Sequence, residues 1–242
     1  MGNRGFTLLI VVFATVLLVG MPYAQGPPAN PNAPKQGDLE MVQKLIALRR
    51  DYQKTLEQLH VHYQQVQDKE RQRWAQEELI SYHRIPKHAF ILDLDVPPPN
   101  LNGNQNTPEA NKLFTWAMQF KDKGFGTDYI DNQRRAELLF QEILTKYPQS
   151  DKISDVAYML GDIYESKAYK QYYRAVEYYH RCYQWNSKTT HEGRIRAARI
   201  YDKNLANRTK AIEMYREVTT HETDPRRIQE AQKRIAELSS TK

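Results

Sequence analysis

Cys182 is the single cysteine of the chain and its most reactive side-chain type, with His180 and His191 close enough in sequence to suggest a thiol and its base. A nucleophilic thiolate needs an electropositive, partly exposed setting. Cys182 instead falls at a position filled elsewhere in the chain by Ile143 and Val218, so a buried structural thiol is expected. The other histidines form no zinc set: His60 and His62 are two apart on a helix, and His83 and His88 straddle Pro86. Asp93 and Asp95 alternate within a sticky stretch, but nothing nearby completes a metal or acid–base site. A short extended piece docked through Ile91, Leu92, Leu94 and Val96 is the expectation there. Gly124-Phe125-Gly126 follows a helix and runs into Asp128-Tyr129 without a third glycine, which is no phosphate loop. Nucleophile-elbow and metalloprotease motifs are missing too. These residues predict no catalytic constellation, no cofactor and no metal, and hence a protein that is not an enzyme.

The elements that carry these residues are helical. Beyond Pro108, segments of about 15 residues alternate with short polar breaks, near 109–122, 131–146, 151–166, 171–186, 190–204, 206–220 and 225–239. Aligned, they repeat. Ala136, Ala175 and Ala211 head one helix of each pair; Phe140, Tyr179 and Tyr215 follow four residues later, and Ile143, Cys182 and Val218 three further on. A small side chain lets two helices of a hairpin approach, and the aromatic ring one turn on fills the groove to the next hairpin. The partner helices carry Ala117 with Phe120, Leu160-Gly161 with Tyr164, and Ala197-Ala198 with Tyr201.

Residues 108–242 thus resemble the tetratricopeptide-repeat family: the alanines are 39 and 36 residues apart, near that family's unit of about 34, and Pro148 stands where it places a helix-ending proline. Ser187 and Thr223 replace that proline in the later units, and the first unit carries an insertion at Gly124-Phe125-Gly126. The resemblance implies an all-α fold, a short right-handed α-solenoid of TPR type with a C-terminal capping helix over 226–238. It also implies a partner-binding groove lined by the first helix of each pair: Asn111, Phe114, Met118 and Lys121, then Asp155, Tyr158, Asp162 and Glu165, then Glu192, Ile195, Arg199 and Asp202. The middle set is acidic and lies in a tyrosine-rich unit, which suits a basic or aromatic segment and not the acidic tails that chaperone-type carboxylate clamps hold.

The N-terminal half is built differently. Arg4 precedes an apolar run from Phe6 to Gly20 followed by Pro22-Tyr23-Ala24, which reads as a signal peptide over 1–24, or as a membrane anchor if uncleaved. No cysteine follows the run to take a lipid. Residues 25–37 form a Pro-rich linker. From Asp38 to Arg84 there is neither Gly nor Pro, and Asp38 is placed to cap one long coiled-coil-like helix of roughly 70 Å. Leu45, Tyr52, Leu59 and Val66 recur every seven residues, with Leu48, Leu56 and Tyr63 beside them, a period suited to self-association into a homo-oligomer through 38–84. A Pro/Asn-rich linker over 85–107 completes the order.

With 40% hydrophobic and 26% charged residues the chain is expected to fold, and a formal charge of +6 with both signs interleaved gives no nucleic-acid footprint. The order of parts, with Tyr147-Pro148-Gln149-Ser150 and a final Glu230-Ala231-Gln232-Lys233-Arg234-Ile235, is similar to that of bacterial periplasmic cell-division coordinators of the Tol-Pal system. That similarity implies an exported, periplasmic adaptor in the cell envelope whose partners are other proteins or peptides. The competing expectation is a membrane-anchored structural component of an envelope assembly complex.

Overall fold

The computed structural model describes residues 37–240, which are all-α. The expected signal peptide over 1–24 and nearly all of the expected linker over 25–37 lie outside the described residues. Ten helices follow in order: α1 (Asp38–Gln65), α2 (Lys69–Arg84), α3 (Leu92–Asp95), α4 (Pro108–Phe120), α5 (Thr127–Lys146), α6 (Ile153–Glu165), α7 (Tyr172–Trp185), α8 (Gly193–Lys203), α9 (Arg208–His221) and α10 (Pro225–Ser240). Among the described residues no helix is long and apolar enough to cross a membrane.

The expected single helix over 38–84 is a hairpin. Gln67 takes a left-handed backbone (φ 57°), and the Asp68 carboxylate caps α2 by accepting from the Arg71 N–H at 3.1 Å. Such a conformation costs a non-glycine residue about 1–3 kcal/mol. The cap, worth about 1 kcal/mol, and the packing of α2 back along α1 offset it. Antiparallel contacts run from His60 with Gln72 (3.3 Å), through buried Leu56 and Ala75, to Tyr52 and Tyr82, whose rings lie 5.0 Å apart. The Tyr82 hydroxyl donates to the Arg49 carbonyl at 2.9 Å. At the start of α1 the capping position is Gly37, without a side-chain bond, and Asp38 lies within the first turn, where its charge complements the helix dipole.

The expected seam is only partly used. The covered face of α1 has the same seven-residue period but includes Val42, Arg49, Leu56 and Tyr63, so Leu48, Tyr52, Leu59 and Val66 remain exposed. Leu56 and Tyr63 belong to both sets.

From α4 onward each helix packs on the next, giving the antiparallel pairs α4/α5, α6/α7 and α8/α9, with α10 closing on α9. The three aligned triplets occupy equivalent places in α5, α7 and α9, and all nine side chains are fully buried. One core runs from Val96 to Ile200; a second joins Ile195 and Ala198 to Ala211, Tyr215, Val218 and Ala231. Gly124 (φ 81°) and Gly126 (φ 60°) supply the left-handed turns that bring α5 back onto α4.

The segment over 85–107 is docked, with one correction to its expected extended form: Leu92–Asp95 is a single helical turn. Ile91 and Val96 are buried, and Leu92 and Leu94 half-buried. Its carbonyls are held by α7, where the Arg181 Nε donates to Pro97 O (2.7 Å) and the Trp185 indole donates to Pro98 O (3.0 Å). Paired backbone bonds join Gln105 to Gln149 and Asp151.

Candidate functional site

The leading helices α4, α6 and α8 carry the residues expected to line a groove. On α6 the periodicity leaves a single partly open stripe, and it consists of Asp155, Tyr158, Asp162 and Glu165, together with Met159; the remaining positions from Ile153 to Tyr164 are buried. On α4, Met118 is exposed, Asn111 and Phe114 are half-buried, and Lys121 is buried.

The acidic character expected of this stripe is cancelled from the neighbouring helices. Lys121, at the end of α4, donates to Asp162 at 2.5 Å and also pairs with Asp122. Arg196 of α8 reaches Asp162 (2.6 Å) and Glu165 (Nε to Oε2, 2.9 Å), and Glu165 also accepts from the Tyr179 hydroxyl at 2.7 Å. Burial opposes the Arg196 charge, yet the Tyr179 ring and the two carboxylates hold its pKa above the ordinary arginine value. Asp155 bonds His191 at 2.9 Å, and Tyr158 stacks on the same imidazole at 4.4 Å.

The next step along the array repeats the arrangement. Arg199 grips Glu230 of α10 through two bonds of 2.7 and 2.6 Å, which hold the Glu230 carboxyl below its usual range. Arg234 grips Asp202 through two bonds of 2.8 Å. Glu192 lies 3.6 Å from Arg227 and 3.9 Å from Arg199. Consecutive leading helices are therefore laced by charge-assisted bonds, of which the two-pronged arginine grips are the most directional.

One groove assignment is corrected. Ile195 is fully buried in the second core, against Ala211 and Tyr215 of the following hairpin, because the chain turns the opposite edge of α8 outward. It can touch no partner. The tyrosines of the middle unit are likewise mostly interior: Tyr164, Tyr178 and Tyr179 are fully buried, and of the tyrosines in that unit only Tyr173 is exposed.

Exposed apolar surface gathers at the other end of the array. Trp116 on α4 is 51% exposed and forms an open, shallow patch with Asn111, Lys112, Thr115 and Gln119 of the same helix, and Phe125 in the loop after α4 is 94% exposed. The spacing of Trp116 from the buried pair Ala110 and Ala117 was readable in the sequence, but the family pattern directs attention to the opposite face of α4.

The candidate nucleophile is inert. Cys182 is buried and within 3.7–3.8 Å of the Ser154 and Thr189 hydroxyls, and burial pushes its thiol up to about 11. His191, its supposed base, is committed to Asp155 and Tyr158. Asp95 faces Arg174 at 3.6 Å in place of a metal, and among the described residues no group of three or more His, Cys, Asp or Glu is arranged to hold one.

No protein-family model, curated protein or solved structure matches this chain.

Proposed function

We propose that this chain is a non-catalytic interaction scaffold of the tetratricopeptide type, exported to the cell envelope, which holds a protein or peptide partner on the surface of its leading helices. The observation that carries the reading is the recurrence, in three successive hairpins, of an alanine, an aromatic ring and a small apolar residue that are all fully buried at equivalent places. That pattern makes a stack of interchangeable packing units and leaves the outer faces free to specialise. Tryptophan is over-represented at binding hot spots, so Trp116 and the open patch around it on α4 are the assigned anchor. Asp155 and Glu192 supply the more accessible charges of the stripe on α6 and α8.

The partner is a segment with aromatic or basic residues. The test is affinity purification of the full chain from its native envelope fraction, with Trp116→Ala and Asp155→Lys as parallel baits. A discrete co-eluting protein that is lost with both variants supports the reading; a partner set unchanged by both overturns it. Sequencing of the mature N-terminus separates the exported soluble form from one anchored through Phe6–Gly20.

Self-association is the second part of the proposal. Leu48, Tyr52, Leu59 and Val66 are exposed along α1, and a seven-residue period is what a helix of matching period packs against. The same helix of a second copy meets that requirement. Sedimentation of the full chain and of Leu48→Glu/Leu59→Glu tests it: a concentration-dependent dimer that the double variant abolishes is expected.

A further inference from the structure

A second recess, of about 140 Å³, lies where the hairpin, the docked segment and the repeat array meet, and its lining is dominated by cations. Arg49 comes from α1, His83 from α2, Lys87 from the loop after it, Arg134 from α5 and Arg174 from α7; the acids are Glu137 of α5 and Asp95 of α3. Four full positive charges thus face two carboxylates. One of those carboxylates is already saturated. Glu137 accepts from the Tyr164 hydroxyl (2.7 Å), the Tyr169 hydroxyl (2.5 Å), Gln141 (3.4 Å) and Arg134 (3.4 Å).

The cations are under-used. Arg134 and Arg174 are each only 7% exposed, and the Nε of both is buried with no hydrogen-bond partner among the described residues. Arg174 lies over the Tyr164 ring at 4.2 Å and Arg134 over the Tyr169 ring at 4.0 Å, so each is partly stabilised by a π face. Their remaining contacts are long, Arg174 to the Lys87 carbonyl (3.3 Å), Gln171 (3.5 Å) and Asp95 (3.6 Å) and Arg134 to Glu137 (3.4 Å), and the two Nε donors stay unmatched. Lys87 donates to the Tyr82 and Ile85 carbonyls, which leaves one of its three N–H bonds free. Arg49 makes only one long bond, to the His88 carbonyl at 3.5 Å.

Buried donors on charged groups are costly to leave unmatched. Water would supply acceptors but not the missing negative charge. We propose that this recess is a binding site for a small oxyanion, a carboxylate or phosphate, held by Arg49, Lys87, Arg134 and Arg174. An engineered cavity of about 150 Å³ admits a guest of benzene's size, so an ion of about six heavy atoms fits. Burial, followed by the Arg134 charge, pulls the Lys87 ammonium down to about 8; burial and Lys87 pull the His83 imidazole down to about 4. Burial is the larger cause of both shifts and the neighbouring positive charges add to it; a bound anion offsets that second part and moves both groups upward.

The full chain is titrated calorimetrically with inorganic phosphate and, separately, with acetate, at matched ionic strength, and the His83 ring is followed by NMR. One saturable site per chain is expected for at least one of the two ions, with the His83 titration moved upward on saturation. Which ion saturates the site identifies the oxyanion. Arg49→Gln and Lys87→Met each weaken binding roughly tenfold or more, as loss of a charge-assisted bond requires. Two separate variants keep the comparison usable if one fails to fold. Binding of neither ion, binding equally strong in both variants, or an unmoved His83 overturns the proposal.

Discussion

Replacing Gly161 by alanine tests the packing rule on which the repeat rests. A Cβ built there would lie 2.7 Å from two carbons of the Tyr179 ring, closer than non-bonded carbons approach. The ring cannot swing aside freely: its hydroxyl donates to Glu165 at 2.7 Å, and Glu165 is fixed by Arg196 at 2.9 Å. Overpacking of this kind costs about 1–3 kcal/mol, whereas alanine gains about 1 kcal/mol of helix propensity over glycine. With the ring clamped, the upper part of that cost applies, and the net loss is about 1–2 kcal/mol. For a chain of this size each kcal/mol lowers the melting temperature by about 2–4 °C, so thermal unfolding followed by circular dichroism should show a drop of about 2–8 °C. In a Tyr179→Leu background the clash disappears, and the same substitution becomes neutral or stabilising. Gly161→Ala as stable as the parent, or an equal loss in both backgrounds, refutes the reasoning.

Three further outcomes follow. Ile195→Ala removes a fully buried side chain and should cost about 2–5 kcal/mol in denaturant unfolding while leaving partner affinity of the folded fraction unchanged. Burial, with the smaller help of the Arg181 and Lys210 charges, holds the His180 imidazole down to about 4, so between that value and about 6.5 the unfolded chain binds the proton and the folded chain does not. Stability is therefore full above about pH 6.5 and falls as the pH is lowered toward 4, by up to about 3 kcal/mol from this group; His180→Phe should flatten that part of a stability-against-pH curve. Cys182, with its thiol at about 11, should resist alkylation in the native chain and react fully in denaturant, and Cys182→Val, matching Val218, should change stability by less than about 1.5 kcal/mol.

The helical architecture was legible because its signal is periodic. The alignment of Ala136, Ala175 and Ala211 with their following aromatics identified buried positions, and the segment expected over 225–239 corresponds to α10, Pro225–Ser240. The break after α1 was not foreseen, because Gln67 adopts a left-handed backbone without glycine or proline; the signal available was Asp68, whose side chain caps α2. The seam on α1 was misjudged for a related reason. Two faces of that helix carry seven-residue apolar spacing, and only the position of α2 decides which is covered. Groove residues were placed by family pattern, which gives the angle around a helix but not what the next helix brings: Arg196 and Arg234 reach Asp162, Glu165 and Asp202 from 31 to 34 residues away, and Arg199 is itself taken up by Glu230. The cationic recess draws on five separate segments, and no local spacing in the sequence marks it.

The central claim, that the leading helices form a partner-binding surface, is tested most directly by cross-linking mass spectrometry on the full chain in the cells that express it. Links from the partner should cluster at lysines beside the exposed face of α4 and along the α6 stripe, Lys112 and Lys152 foremost, and should vanish with Trp116→Ala. Links confined to the outer faces of α7 and α9, or undiminished in that variant, would contradict it.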